Sequence, residues 1–332
     1  MQAQILTTPK AVEAQPLTLR EIETPTPRAN EIRIQISVCG VCHTDLHICE
    51  GEIHPSQMPI VPGHQIVGVV EARGANARRF ELGARVGVPW LNWIDPNCKW
   101  FGTDRENLCE NIRFTGFDTH GGYAEFICVD ENFAYALPDG FDAEPLAPLL
   151  CAGVIGYRAL RLSEIQRGET LGLFGFGASA HIVLQIARHW GKRVFVFTRS
   201  AMHQEHARQL GADWVGNSAD APPRKLDSAV IFAPVGDLVV RALEWSERGA
   251  TVVDAGIHSS PIPSFAYDLL YHERTIRSAA NSTRRDVTEL LQLAVEIPIH
   301  TETTPYPLAD ANRALQEVKH SRVNGAAVLQ IS

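Results

Sequence analysis

Along the first 150 residues the apolar positions come in short bursts punctuated by Gly and Pro. EIRIQISV (31–38) alternates apolar and polar residues, the period of a strand with one buried face, and IVGVVEA (66–72) and YAEFICV (123–129) read as buried strands. This half reads as all-β. From about residue 168 the pattern changes: an apolar strand (LGLFGF, 171–176) precedes a helix-period stripe at Ile182, Val183, Ile186, Ala187 and Trp190, and RVFVF (193–197) follows. That is a βαβ unit. The alternation repeats through residues 201–216, 226–233, 238–256 and 275–279, which predicts a doubly wound parallel sheet. A last stretch adds a helix (DVTELLQLAVE, 286–296) and a strand (GAAVLQI, 325–331). The expectation is an α/β protein with a β-rich domain over 1–150, completed by 286–332, and a second domain over 151–285.

Composition narrows the classes. A chain of 332 residues, 45% hydrophobic and 20% charged, can bury two cores without covalent staples. Its seven cysteines are an odd number, and residues 1–20 lack the apolar core of a signal peptide, so reduced thiols in a cytoplasm are expected. No apolar run approaches the roughly 18 residues of a membrane span. A formal charge of -8 argues against a nucleic-acid partner, which calls for a basic face. A small molecule is the expected ligand.

The second domain's first strand ends in GFGASA: Gly175, Phe176, Gly177, Ala178, Ser179 and Ala180. In this G-x-G-x-x-A pattern Gly175 permits the tight turn, Gly177 admits a pyrophosphate and Ala180 keeps helix and strand close. Inside a repeated βαβ pattern it predicts dinucleotide binding at a helix N-terminus. NAD sites usually carry a carboxylate about 20 residues on, at the end of the next strand. Here Thr198, Arg199 and Ser200 stand there instead, and a guanidinium suits a 2′-phosphate. NADP is therefore preferred over NAD.

CGVCHTDLH, residues 39–47, admits three readings. A structural zinc finger needs a second ligand pair at short spacing, and His43 and His47 follow too closely to form one. A redox dithiol should open a helix after a thioredoxin-like βαβ unit, whereas this segment belongs to the all-β half and shows no clear helical continuation. The third reading takes one ligand here and others from afar, as a catalytic metal with an open position does. His64 in VPGHQIVG and Cys151 in PLLCAG are candidates.

GVCHTDLH, PGHQIVG, PLLCAG and GFGASA, in this order and spacing, resemble the zinc-dependent medium-chain alcohol dehydrogenases over essentially the whole chain. The resemblance implies a GroES-like catalytic domain, a Rossmann domain, and one catalytic zinc held by Cys42, His64 and Cys151. Two thiolates and an imidazole with one open position suit this borderline-soft ion, which as a Lewis acid lowers the pKa of a bound alcohol before hydride leaves for the nicotinamide. It further implies that Thr44 takes the alcohol proton and passes it through the cofactor ribose to His47, and that Asp45 orients a ligand. His43 would lie near the pyrophosphate, Ile257 beside the cofactor, and Trp90 and Phe114 along an apolar substrate pocket. A homo-oligomer, dimer or tetramer, is implied as well.

Three positions depart from the family. Gln65 replaces the usual glutamate beside the ligand histidine, and Ala326 stands where an arginine often precedes the final strand. In the lobe where many members carry C-x2-C-x2-C-x7-C around a structural zinc, this chain has Asp95, Cys98, Phe101 and Cys109. Closed structural sites are four-coordinate and Phe101 has no ligand atom, so no structural zinc is expected. Phe101 is expected to pack the lobe instead, in an aromatic cluster with Trp90, Trp93 and Trp100. The function expected is an NADP(H)-preferring alcohol dehydrogenase or aldehyde reductase of EC 1.1.1 type. Two alternatives remain at this stage, a zinc-free quinone or enone reductase on the same scaffold and a non-catalytic dinucleotide-binding protein. Metal analysis separates the first and turnover of an aldehyde with NADPH the second.

Overall fold

The computed structural model describes residues 1–257, 259–297, 299–323 and 325–332. Contacts divide the chain into one unit of Met1–Cys151, Thr283–Val295 and His300–Ser332, and a second of Ala152–Ser282 and Glu296–Ile299. The first begins with β1 (Gln2–Leu6), β2 (Leu17–Glu21), β3 (Glu31–Val41), helix α1 (His43–Glu50), β4 (Gln65–Arg73) and β5 (Arg85–Val88). It continues with β6 (Leu91–Ile94), β7 (Ile112–Phe114), β8 (Phe126–Asp130), β9 (Tyr135–Ala136) and the short α2 (Ala143–Leu146). The second unit has α3 (Ala152–Leu162), β10 (Thr170–Phe174), α4 (Ala178–His189), β11 (Arg193–Phe197), α5 (Ala201–Gln209) and β12 (Trp214–Gly216). After these come β13 (Leu226–Ile231), α6 (Asp237–Trp245), β14 (Ser246–Asp254) and β15 (Thr275–Ser278). The last elements are α7 (Arg284–Glu296), β16 (Thr303–Pro307), α8 (Ala311–Lys319) and β17 (Ala326–Gln330).

In the first unit the main sheet runs β16-β17-β3-β4-β5-β9, with β8 also on β3. β3 shows why. Ile32, Ile34 and Ile36 are fully buried on one face, while Val38, Cys39 and Val41 continue into a stretch buried on both faces. β17 pairs antiparallel with β3, Ala327 opposite Val41 through Gln330 opposite Val38, so the chain's final strand lies beside the strand that leads to Cys42.

In the second unit the order is β12-β11-β10-β13-β14-β15, and every pairing is parallel. β10 is buried along its whole length and is flanked by β11 on one side and β13 on the other. The strand order reverses at β10, which makes its carboxyl end the switch point where such sheets bind ligands. α4 buries Ile182, Val183, Ile186 and Ala187 completely, the three larger side chains contributing about 1.5–3 kcal/mol each.

Two expectations fail in the first unit. It is not all-β, because HTDLHICE forms α1 directly after Cys42; Leu46, Ile48 and Cys49 supply its buried side without a long apolar stripe. The C-x-x-C pair thus does open a helix. The redox reading fails on other grounds: Cys39 lies within β3 with no exposed surface, and burial raises its thiol well above the ordinary range. The C-terminal stretch also holds β16 and α8, for which no element was expected.

Candidate active site

Cys42 is the N-cap of α1. Its backbone N–H donates to Asp45 Oδ2 at 3.0 Å, and its sulfur accepts from the backbone N–H of Asp45, a reciprocal cap that fixes the side chain at the helix start. Asp45 has no exposed surface, and its other oxygen accepts from Gly63 N–H at 3.2 Å and His64 Nδ1–H at 3.1 Å. One carboxylate therefore ties the helix, the glycine turn and the imidazole together. Gly63 is required there: its φ is +97°, and a Cβ would sit 2.4 Å from the Tyr123 ring.

With Nδ1 committed to Asp45, His64 Nε2 faces two sulfurs, Cys42 Sγ at 3.3 Å and Cys151 Sγ at 3.3 Å. Cys151 closes the short helical turn Ala147–Leu150, just before α3. All three ligand atoms lie within 4.8 Å of one another, and no other such group of Cys, His, Asp or Glu occurs among the described residues. A tetrahedral zinc with bonds of about 2.0–2.3 Å spaces its donors about 3.6–3.8 Å apart, so the set fits that ion. The neighbouring Cys151 thiol and burial push the Cys42 thiol well up. For His64 burial favours the neutral ring, but the Asp45 carboxylate and the Cys42 sulfur outweigh it and raise the imidazole to about 10. Such a pocket holds protons unless a cation replaces them, which is the chemistry of a metal site.

The Trp90 ring meets His64 edge-on with centroids 4.6 Å apart, and Phe114 stacks on Trp90 at 4.9 Å. Phe117, absent from the sequence reading, joins at 5.7 Å; its place three residues after Phe114 across a glycine turn was the available signal. These rings make an apolar wall beside the ligand cluster. On α1, Thr44 and His47 are three residues apart and half-buried, His43 is exposed at the first helical position, and the rings of His43 and His47 are 6.5 Å apart. His47 Nδ1 contacts Glu52 Oε2, a partner the sequence reading did not name.

In the second unit Gly175 has φ +87°, and a Cβ there would meet Ala233 at 2.9 Å. At Gly177 a Cβ would meet nothing within 4 Å, so the backbone before α4 is open to a ligand. Phe176 and Ala180 are buried, Ala178 and Ser179 are half-buried, and no side chain caps α4. Thr198 directly follows β11, and its N–H donates to Gly216 O at 2.9 Å. Arg199 is exposed and makes no ion pair among the described residues; Ile257 is 47% exposed.

The lobe around Asp95 differs from expectation. The Asp95 carboxylate accepts from Asn97 N–H at 2.9 Å and Asn111 Nδ2 at 3.2 Å, and Phe101 supplies no donor, so these residues do not fit a closed four-ligand centre. Phe101 does not pack the lobe; it is 40% exposed and carries the Arg284 guanidinium 5.1 Å from its ring centroid. Nor do the aromatics cluster: Trp90 sits with Phe114, Trp93 faces Arg113 at 5.0 Å, and Trp100 faces Lys99 at 4.8 Å. Arg284 in turn grips Glu106, whose side chain is 4% exposed, through Nη2 at 2.8 Å and the backbone N–H at 2.7 Å.

Comparison with known proteins agrees with the geometry. Residues 28–139 match the alcohol dehydrogenase GroES-like domain, and residues 180–296 match the zinc-binding dehydrogenase domain. The chain is 44% identical over 329 residues to "Probable alcohol dehydrogenase AdhA" of Mycobacterium tuberculosis, covering 97% of this chain and 95% of that one. It is 32% identical over 331 residues to an alcohol dehydrogenase of Geobacillus stearothermophilus, covering 95% and 96%. A solved cinnamyl alcohol dehydrogenase of Sorghum bicolor superposes with a TM-score of 0.89 at 25% identity, covering 98% of this chain and 97% of that one.

Proposed function

The chain belongs to the zinc-binding alcohol dehydrogenase family, and from that premise we infer that it interconverts a small alcohol and its aldehyde with NADP(H) as the preferred coenzyme. The observation that carries this reading is the convergence of Cys42, His64 and Cys151 with Asp45 behind them. These three residues would hold one zinc per chain, which when bound supplies Lewis-acid polarisation of the alcohol oxygen. NADP would supply the hydride acceptor.

The chain's own residues do the rest. Asp45 keeps His64 in the tautomer whose Nε2 faces the sulfurs. Thr44 offers a hydroxyl that can accept the alcohol proton while donating its own, and His47 holds a proton on its way to water. Trp90, Phe114 and Phe117 exclude water and favour an apolar substrate tail. Gly175 to Ala180 would bind the pyrophosphate, Ile257 would lie along the coenzyme and Arg199, which follows Thr198, would take the 2′-phosphate, with His43 a further candidate for the pyrophosphate. In this reading residues 1–150 with 286–332 form the catalytic domain and 151–285 the coenzyme domain. The odd number of cysteines is in keeping with reduced thiols in a cytoplasm, and family membership supports a homo-oligomer.

Turnover of a panel of aldehydes with NADPH and NADH, alongside elemental analysis, tests the reading. One zinc per chain and a Michaelis constant lower for NADPH are expected. Arg199→Ala should raise that constant far more for NADPH than for NADH. Turnover without metal, or an equal effect of the variant on both coenzymes, would count against it.

A further inference from the structure

The polypeptide after α1 does something the reaction does not by itself require. Gly51 caps the helix with φ +79°, a left-handed conformation, and the chain folds back so that Glu52 N–H donates to His47 O at 2.9 Å and Ile53 N–H to the same oxygen at 3.4 Å. This reversal lays the Glu52 side chain against the His47 ring, where Oε2 meets Nδ1. The other glutamate beside Gly51 is directed elsewhere: Glu50 accepts from Lys319 Nζ at 2.8 Å and Val12 N–H at 3.0 Å. Glu52 is 53% exposed and His47 18%, so the contact is reached by solvent from one side.

An ionised carboxylate only accepts hydrogen bonds, so at this contact Nδ1 must be the donor. The geometry points to Glu52 as a positioning residue for His47: by accepting Nδ1–H it fixes one tautomer and ring orientation, and leaves Nε2 as the nitrogen that takes the proton. The inference rests on His47 being the proton exit. In the step itself Nε2 gains a proton, Nδ1 keeps its own toward Glu52, and the resulting imidazolium returns the Nε2 proton to water. No atom of Glu52 changes its bonding. A carboxylate behind an imidazole stabilises the charged ring and removes the cost of selecting tautomer and orientation. The device is local, because one glycine and one glutamate suffice.

The test uses zinc-loaded, full-length protein labelled with ¹⁵N-histidine, with the His47 signal assigned by its loss in His47→Gln. Long-range ¹H–¹⁵N spectra should show wild-type His47 protonated at Nδ1, and Glu52→Ala should shift it toward the Nε2–H form. The same variant should lose about 10-fold in kcat, the low end for a partner behind a functional histidine, with Michaelis constants for alcohol and coenzyme unchanged. Glu52→Asp should recover part of both signals. Glu52→Ala with the Nδ1–H tautomer and kcat intact would overturn the proposal. If instead the tautomer shifts as expected while His47→Gln leaves kcat untouched, the proton-exit reading fails and the catalytic part of the proposal falls with it.

Discussion

Two thiol-bearing regions of the first unit, the Cys42–His64–Cys151 cluster and the lobe from Asp95 to Cys109, use cysteine in opposite ways. In the cluster the donors come from segments 22 and 87 residues apart, meet at 3.3 Å, and are backed by a buried carboxylate. In the lobe the candidates are neighbours in sequence, yet Asp95 spends its oxygens on Asn97 and Asn111 and Phe101 offers none. The cation that meets the lobe's buried acid is a guanidinium. Arg284 forks onto the buried Glu106 and lies over Phe101 at 5.1 Å and Phe133 at 5.4 Å. Short cysteine spacing alone therefore does not assemble a ligand set, whereas donors that converge in front of a backing acceptor match the geometry of one. An ion pair gripped by aromatic rings supports this segment instead.

The largest contrast should appear when cysteines are removed from each region. Cys42→Ala should abolish the single zinc and reduce turnover by more than the roughly 10–100-fold that loss of a merely orienting partner costs. Cys98→Ser with Cys109→Ser should keep one zinc per chain and near wild-type turnover. Elemental analysis with a turnover assay reads both, and a zinc lost from the second variant would erase the distinction.

Next in size is the clamp. Glu106→Ala leaves Arg284 without its partner in a largely buried setting. Breaking such pairs costs about 3–5 kcal/mol, and the 26% exposure of the Arg284 side chain puts the expectation near 3. Denaturant unfolding should show that loss, and limited proteolysis should begin within residues 95–109. An unchanged midpoint would mean that the lobe holds itself.

The carboxylate behind the cluster comes third. Asp45→Asn keeps the shape but removes the charge that orients His64 and stabilises cationic character in the pocket. Zinc affinity measured by chelator competition should fall about 10–100-fold, with the larger loss expected if the amide turns its nitrogen toward Nδ1. Retained affinity would assign the orientation to Gly63 and the helix cap alone.

Much of this was legible in the sequence because it follows from period and from donor chemistry. The buried β10 run, the α4 stripe at Ile182, Val183, Ile186 and Ala187, and the glycine loop between them are local signals that tertiary contacts only reinforce. What escaped was short or non-local. α1 gathers only three apolar buried residues around the polar Asp45, β16 contains two prolines that argue against a strand, and α8 relies on Ala311 and Ala314 beside Leu315 and Val318. The Glu106–Arg284 pair spans 178 residues, a separation no spacing rule reaches. Phe101 was misjudged for that reason: with Arg284 unseen, an aromatic in the lobe reads as core.

The smallest expected effect isolates that ring. Phe101→Ala removes a partly exposed face from beneath the guanidinium, and a cation over an aromatic at such a site contributes about 0.5–1 kcal/mol. The salt bridge to Glu106 remains, so the variant should keep its activity and its zinc and lose only that increment of stability. Leu in place of Ala separates charge from bulk, since it restores apolar contact without a π face. A double-mutant cycle with Arg284→Met then reads the coupling directly. Coupling of a few tenths of a kcal/mol or more between Phe101 and Arg284 is expected, smaller than that between Glu106 and Arg284. Strict additivity would reduce Phe101 to a spectator on the lobe's surface and leave the ion pair as the whole of the clamp.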